Sequence, residues 1–516
     1  AALATPVRSL RARRWLCGGA FALAIALALV VGREREGLWE RLGPPVDPPP
    51  RAEAVAREPA PNLVVVTIDT LRRDHLSLYG YERATTPFLD GFAREGAVFE
   101  QAISHAPATL RSMASLVTGV SPRLLDADHA SRGERGAYVG EGMETLAERL
   151  AEAGYDTAAF VSNVWLKRTN GFAQGHAAYH DAISSVPEGG RSSVDRMLDA
   201  ARPWLRRAEP PFFLWLHVTD PHHPYEPSTP GPWEDLAGAD AAIHARYEAV
   251  RGVDYTRLLQ ALPHFDPAAR ERDLRYLIGR YDAEILQVDR ALARLAGMLP
   301  ADADGRGTAW VVTADHGEEF LDHGDVLHGK TLFDEVIRVP LVLRGPGIPA
   351  GRRVQAQVRM VDVTATVLDW AGLPAGDLHG GSLLGLFEAP VPEDRPAVAS
   401  LGTRYCALRT PDRKLIVSYD PYPPGGVSWN PLRALPSMAQ VALGRRRREE
   451  VALFDLSADP RERHDLFTAR RDEARALYAD LARERERTPL RRMASHAEAG
   501  LSERDRELLR GLGYLE

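Results

Sequence analysis

A chain of 516 residues is too long for one ordinary hydrophobic core, so a large domain with a smaller addition is expected. Apolar residues at 45% and charged residues at 26% give an ordinary globular composition, and the formal charge of -7 speaks against a general nucleic-acid binder. Cysteine occurs only at Cys17 and Cys406, in segments not expected to meet, so neither a disulfide framework nor a cysteine-based zinc site follows.

In chain order, Arg8, Arg11, Arg13 and Arg14 precede an apolar run, Trp15 to Val31, near the lower length limit for spanning a bilayer. Residues 1–32 are expected to form a membrane anchor or a signal segment, and the leading arginines favour sending the rest of the chain out of the cytoplasm. No small-x-small cleavage site follows the run directly, which favours an anchor that stays. Residues 33–61 read as a linker, because 44–61 are rich in proline and alanine.

From Asn62 onward, strand and helix patterns alternate. Asn62–Ile68, Thr157–Val161, Phe212–Val218, Trp310–Val312 and Val339–Leu343 read as strands. Between and after them stand helical patterns: one opened by Thr86-Pro87 and ended at Gly96, then Met143–Ala153, Ser193–Arg206, Tyr281–Leu295 and Val361–Ala371. The alternation predicts an α/β domain over 62–395, with a mostly parallel sheet covered by helices on both faces. Near residue 395 the pattern changes. Tyr405–Arg409, Lys414–Tyr419 and Val451–Leu456 predict a small antiparallel subdomain over 396–470. Residues 420–450, with the basic run Arg445–Arg448, read as a surface excursion that could also meet an anionic substrate or lipid. A helical tail over 471–516 ends the chain.

Two strand ends carry the chemistry. Asn62–Ile68 delivers Asp69 and Thr70, and the run around Trp310–Val312 delivers Asp315 and His316. Ligands gather at the carboxyl ends of parallel strands, and two carboxylates with an imidazole form a divalent-metal ligand set. Either Asp taken singly could instead be capping the next helix. Ala108 to Gly119 reads as a helix, which puts Thr109 and Ser112 at a helix N-terminus suited to an anion. A hydroxyl there either caps the helix or, beside a metal, serves as a nucleophile against a phosphate or sulfate ester.

The stretches NLVVVTIDTLRRDHLSLYGY, TTPFLDGFAREGAVFEQAISHAPATLRSMASLVTG, WLHVTDPHHPY, TADHGEEFLDHGDVLHGKTLFDEVIRVPLVLRGPG and LFDLSADPRERHDL, in this order, resemble the sulfatase family of the alkaline phosphatase superfamily. The resemblance covers about residues 62 to 470. It implies an alkaline-phosphatase-like α/β fold, a large mixed sheet sandwiched by helices with a small C-terminal antiparallel sheet packed on it. It implies Asp69, Asp315 and His316 as metal ligands, with Thr109 at the nucleophile's place beside the metal. His222, within His222-His223-Pro224, matches a histidine that binds the ester and protonates the leaving oxygen. Lys330 matches a lysine that neutralises the ester's nonbridging oxygens. His217, His323 and His328 lie near these motifs as candidates for substrate or a second metal, or as supporting or surface histidines.

This chain departs from the family pattern at three places. Thr109 stands where sulfatases proper carry a Cys or Ser converted to formylglycine within Cys/Ser-x-Pro-Ser-Arg, and Arg111 and Met113 replace the Pro and Arg, so no formylglycine is expected. Thr70 replaces the second Asp of the usual pair. The remaining ligands point to one divalent cation, Mn2+ or Zn2+ ahead of Ca2+ or Mg2+. An unmodified Thr at a metal is also the arrangement of membrane-anchored phosphoethanolamine and glycerol-phosphate transferases of the same superfamily. The expected function is metal-dependent hydrolysis of a sulfuric or phosphoric ester, on a glycan or lipid, at a membrane-anchored site in the periplasm or on the cell surface. Transfer to a lipid or glycan hydroxyl, and a glycan-binding pseudoenzyme, are the alternatives. No nucleic-acid partner is expected.

Overall fold

The computed structural model describes residues 60–125, 138–183, 185, 188–233, 241–250, 253–300, 305–388, 395–402, 405–418 and 450–487. The anchor expected over 1–32, nearly all of the linker, the insert with Arg445–Arg448 and the tail beyond 487 lie outside the described residues. Among the described residues, no helix is long and apolar enough to cross a membrane.

The sheet is organised around β1 (Asn62–Ile68), whose NLVVVTI run is buried at every position. A strand covered on both faces needs such a continuous β-branched run. β1 pairs in parallel with β5 (Phe212–Val218) on one side and β6 (Thr308–Ala314) on the other. Beyond β5 lie β3 (Asp156–Val161) and β4 (Ala178–His180), both parallel. Beyond β6 comes β9 (Arg338–Arg344), which is antiparallel, then β2 (Ala97–Ile103) and β10 (Arg352–Arg359). The eight-stranded order is β10-β2-β9-β6-β1-β5-β3-β4, with β9 alone running against the rest. The mostly parallel sheet expected from the alternation is thus present, with one reversed strand making it mixed.

Helices cover the sheet. The helix Pro267–Met298 is far longer than the Tyr281–Leu295 pattern suggested, because Asp266 accepts from the Ala269 amide at 3.1 Å and Pro267 opens the first turn. Its mid-length residues Tyr281, Ile285, Val288 and Leu292 join the single large core. The C-terminal sheet is antiparallel in the order β11 (Ala397–Leu401), β12 (Tyr405–Arg409), β13 (Arg413–Ser418), β14 (Glu450–Asp455). Its two faces separate by strand alternation. Cys406, Leu408, Leu415 and Val417 pack against Ala474 and Leu481 of the helix Arg471–Arg487, whereas Ala407 turns to Ile103, Leu332 and Ile337 of the large domain.

Candidate functional site

β1 and β6 are in register, with Ile68 opposite Ala314, so the residues that follow, Asp69 and Asp315, emerge side by side. The Thr70 amide donates to Asp315 Oδ1 at 3.1 Å and the His316 amide donates to the same oxygen at 2.7 Å. Thr70 itself sits at φ 54, a left-handed conformation that is uncommon for a β-branched residue. Tyr281 Oη holds it there, donating to the Thr70 carbonyl at 2.7 Å while accepting from the Arg72 amide at 2.8 Å. Gly317 follows because nothing larger fits: a Cβ there would stand 1.9 Å from the Glu335 carbonyl oxygen.

Asp69, His217 and Asp315 offer ligand atoms that lie within 4.8 Å of one another, and all three are buried. His217 comes from β5, where it aims Nε2 at Asp69 Oδ2 across 3.6 Å. His316 donates from Nδ1 to the Gly317 carbonyl at 2.9 Å, which leaves the Nε2 lone pair facing Asp315 Oδ2 at 3.4 Å and Asp69 Oδ1 at 3.8 Å. An imidazole fixed through its second nitrogen to a backbone carbonyl is the usual posture of a metal ligand. Asn163 Nδ2 donates to Asp69 Oδ2 at 2.6 Å, a contact that sequence reading missed. The signal was weak, because an Asn after a strand more often serves a turn.

The electrostatics of this cluster call for a cation. Burial pushes Asp315 up to about 6, and the Asp69 charge adds to it. Burial also works against ionisation of Asp69, but His222, His217 and His316 outweigh it and hold that carboxyl below the usual range. Asp315 Oδ2, His217 Nε2 and Thr70 Oγ1 are buried with no hydrogen-bond partner among the described residues. Two apposed buried carboxylates with orphaned oxygen and nitrogen donors around them fit a divalent ion.

Thr109 is the first residue of the helix Thr109–Thr118, and it does not cap that helix. Its buried Oγ1 approaches His316 Nε2 at 3.3 Å and Asp69 Oδ1 at 3.5 Å. Ser112, the other candidate, points its hydroxyl to the Asp315 carbonyl at 2.6 Å, as does Ser104. Ser104 and Ser112 therefore brace the strand end, and Thr109 is the hydroxyl presented to the carboxylates.

His222 lies under the same cluster. Its Nδ1 donates to the His223 carbonyl at 2.6 Å, and burial lowers its pKa against the opposing charge of Asp69. His328 packs its ring 4.4 Å from His316 and 5.0 Å from His222. Glu318, not singled out from the sequence, pairs with His328 Nδ1 at 3.0 Å and accepts from Tyr225 Oη at 3.1 Å. Lys330 places its ammonium on Asp325 Oδ1 at 2.5 Å and on the Val326 carbonyl at 2.9 Å. Gly329 beside it lies against Pro107, two residues before Thr109, with a Cβ there 3.9 Å from the Pro107 carbonyl oxygen. His323 is held elsewhere, by Glu335 Oε1 at 2.5 Å and the Glu462 carbonyl at 3.2 Å. The structure thus gathers Asp69, Thr109, His217, His222, Asp315, His316 and His328, sets Lys330 on the adjoining loop, and puts His323 in a separate cluster.

A mostly parallel sheet thus brings buried carboxylates, imidazoles and a helix-terminal hydroxyl together at its carboxyl edge, where ligands of such sheets gather. The chain belongs to the sulfatase family: the Sulfatase family model matches residues 61–373. It is a hydrolase of that family. It is similar to arylsulfatase K of Gallus gallus, with 24% identity over 449 residues, 78% of this chain and 78% of that protein. A protein solved in complex with its substrate D-glucosamine-2-N,6-O-disulfate shares the fold at TM-score 0.59 and 19% identity, covering 83% of this chain and 99% of the other. The phosphonate monoester hydrolase of Agrobacterium radiobacter shares it at TM-score 0.58 and 21% identity, covering 83% of this chain and 96% of that one.

Proposed function

We propose that the protein cleaves a sulfuric or phosphoric ester with the unmodified Thr109 hydroxyl as nucleophile, in a site whose cation is held by Asp69, Asp315, His316 and His217. The observation that carries this reading is the aim of Thr109 Oγ1, which at the first turn of its helix faces His316 Nε2 and Asp69. A divalent cation bound there would supply Lewis acidity, lowering the pKa of a nearby hydroxyl and neutralising ester oxygens. Mn2+ or Zn2+ suits two carboxylates and imidazoles better than Ca2+ does.

Thr109 Oγ1 forms a bond to the sulfur or phosphorus as the bond from that atom to the leaving oxygen breaks, and the threonine loses its proton. His222 keeps its Nδ1 hydrogen on the His223 carbonyl, takes the threonine's proton on Nε2 and delivers it to the leaving oxygen. Lys330 turns from Asp325 to the nonbridging oxygens. Water then attacks the threonine ester, releasing sulfate or phosphate and restoring the hydroxyl. A lipid or glycan hydroxyl in place of that water would make the same site a transferase, and the intact Thr109 is what favours that second reading. The Arg-flanked apolar run of residues 15–31 supports an anchored enzyme with its site outside the cytoplasm.

Full-length protein assayed on matched aryl sulfate, phosphate monoester and phosphonate monoester substrates, with each metal in turn, tests the reading. Turnover is expected in the parent and in Thr109→Ser, and its loss in Thr109→Ala at unchanged metal content. Full activity of Thr109→Ala would remove the nucleophile.

A further inference from the structure

The hairpin of β7 (Glu319–Phe320) and β8 (Val326–Leu327) carries a second set of ligand-type side chains. Glu319, His323 and Glu335 offer ligand atoms within 4.8 Å of one another. Glu319 is 0% exposed, and among the described residues neither of its carboxylate oxygens has a hydrogen-bond partner. A buried carboxylate left this way is costly unless a cation or a proton meets it. His323 Nε2 lies 3.2 Å from the Glu462 carbonyl, which only accepts, so Nε2 carries a hydrogen and Nδ1 is the atom turned to the carboxylates. Lys330 does not serve Glu319 by hydrogen bonding, since its ammonium is spent on Asp325 and the Val326 carbonyl.

We propose that Glu319, His323 and Glu335 hold a second divalent cation of the zinc or manganese class, which fastens the β7–β8 hairpin to the C-terminal subdomain through Glu462. Two carboxylate ligands and one imidazole anchored through a backbone carbonyl make a three-ligand protein shell that water completes. The hairpin has reason to need a fastener, because Leu321 and Leu327 hold φ 66 and 68 and Glu462 holds φ 52. Three residues past the hairpin stands Lys330, so the cation fixes the loop from which Lys330 reaches. The site stands apart from the chemistry of Thr109 and does not depend on which ester is cleaved. The rival occupant is the proton: burial, with Glu335 and Asp325 adding to it, pushes the Glu319 carboxyl up to about 8, and an imidazolium at His323 would pair with Glu335.

Metal content per chain, measured by mass spectrometry on full-length protein loaded with Mn2+ or Zn2+ and desalted, separates the two. We expect two cations in the parent, one in Asp69→Asn/Asp315→Asn and one in Glu319→Gln/Glu335→Gln. A parent holding one cation that survives Glu319→Gln/Glu335→Gln would overturn the proposal while leaving the Thr109 site intact. Thermal melts give an independent reading with the single isosteric change. In the Asp69→Asn/Asp315→Asn background the cation should raise the melting temperature, and adding Glu319→Gln should abolish that rise; a rise that persists, or none to begin with, would equally overturn it.

Discussion

The Thr70 amide donates to Asp315 Oδ1 across 3.1 Å, so the end of β1 is tied to the end of β6 by a carboxylate that also faces Asp69 and His316. Thr70 holds φ 54 to make that contact, which costs on the order of 1–3 kcal/mol, and its Oγ1 is buried without a partner among the described residues. A cation that takes this oxygen explains why the strain and the orphaned hydroxyl occur together. Thr70→Ala should therefore weaken divalent-metal affinity by about 10-fold, while Thr70→Ser keeps it. Calorimetric titration with Mn2+ reads this directly, and equal affinities in parent and Thr70→Ala would take the hydroxyl out of the site.

Glu318 positions His328. Its Oε1 meets His328 Nδ1 at 3.0 Å and its Oε2 accepts from Tyr225 Oη at 3.1 Å, deep enough that burial raises its pKa well above the usual carboxyl value. Glu318→Leu removes that partner from His328 Nδ1, so kcat should fall about 10- to 100-fold with a displaced pH profile, whereas Glu318→Gln, isosteric with the neutral carboxyl, should do less. Tyr225→Phe removes only one donor and should do less. A pH profile unmoved in Glu318→Leu would show that the carboxyl merely fills space.

The two sheets are joined by buried charge. Asp334 accepts from Arg409 at 2.9 Å and from Lys414 at 3.0 Å, and Lys414 reaches Glu462 at 2.9 Å. Lys414 is fully buried, so Lys414→Met strands the Glu462 carboxylate, leaves Asp334 to Arg409, and should cost about 3–5 kcal/mol in denaturant unfolding. Adding Glu462→Gln should recover part of that loss, because the stranded charge is then gone. If Lys414→Met unfolds at the parent's midpoint, the network contributes nothing to holding the subdomain.

Much of this was legible from residue patterns, and the losses have physical causes. The runs ending at Asp69 and Asp315 announce strands that stop at chemistry, and their pairing follows from β1 and β6 being neighbours. The reversal of β9 left no mark, since a buried RVPLVLR run has the same composition in either direction. β10, with its RRVQAQVR sequence, was overlooked because this edge strand leaves most of its residues at least partly exposed and shows no apolar run. His323 and His328 looked equivalent by spacing. The hairpin between them turns the chain, sending His328 to His316 and His323 to Glu335. Asn163 and Glu318 reach their partners across 94 and 10 residues through contacts that no local pattern encodes.

His105 makes the junction between the sheets sensitive to acid. It is buried 5% exposed, its Nδ1 donates to the Val398 carbonyl at 2.8 Å, and its own carbonyl accepts from the Ser400 amide at 2.9 Å. Burial pushes its pKa down to about 4 from 6.5. Above 6.5 the ring is neutral folded or unfolded, and its contribution is fully present; as pH falls the unfolded chain takes the proton first, so stability drains until about pH 4. At about 1.4 kcal/mol per unit the loss is about 3 kcal/mol. Carboxyls raised by burial act with the opposite sign over the same range, since Asp289 near 6 and Glu462 near 7 lose a folding penalty as they protonate. The parent's own pH curve therefore mixes the two, and the comparison that isolates His105 is with His105→Gln, whose amide can still donate to Val398 but cannot titrate. The urea midpoint of the parent should fall relative to that of His105→Gln between pH 6.5 and 4, and parallel curves across that window would mean that the imidazole is charged in the folded state.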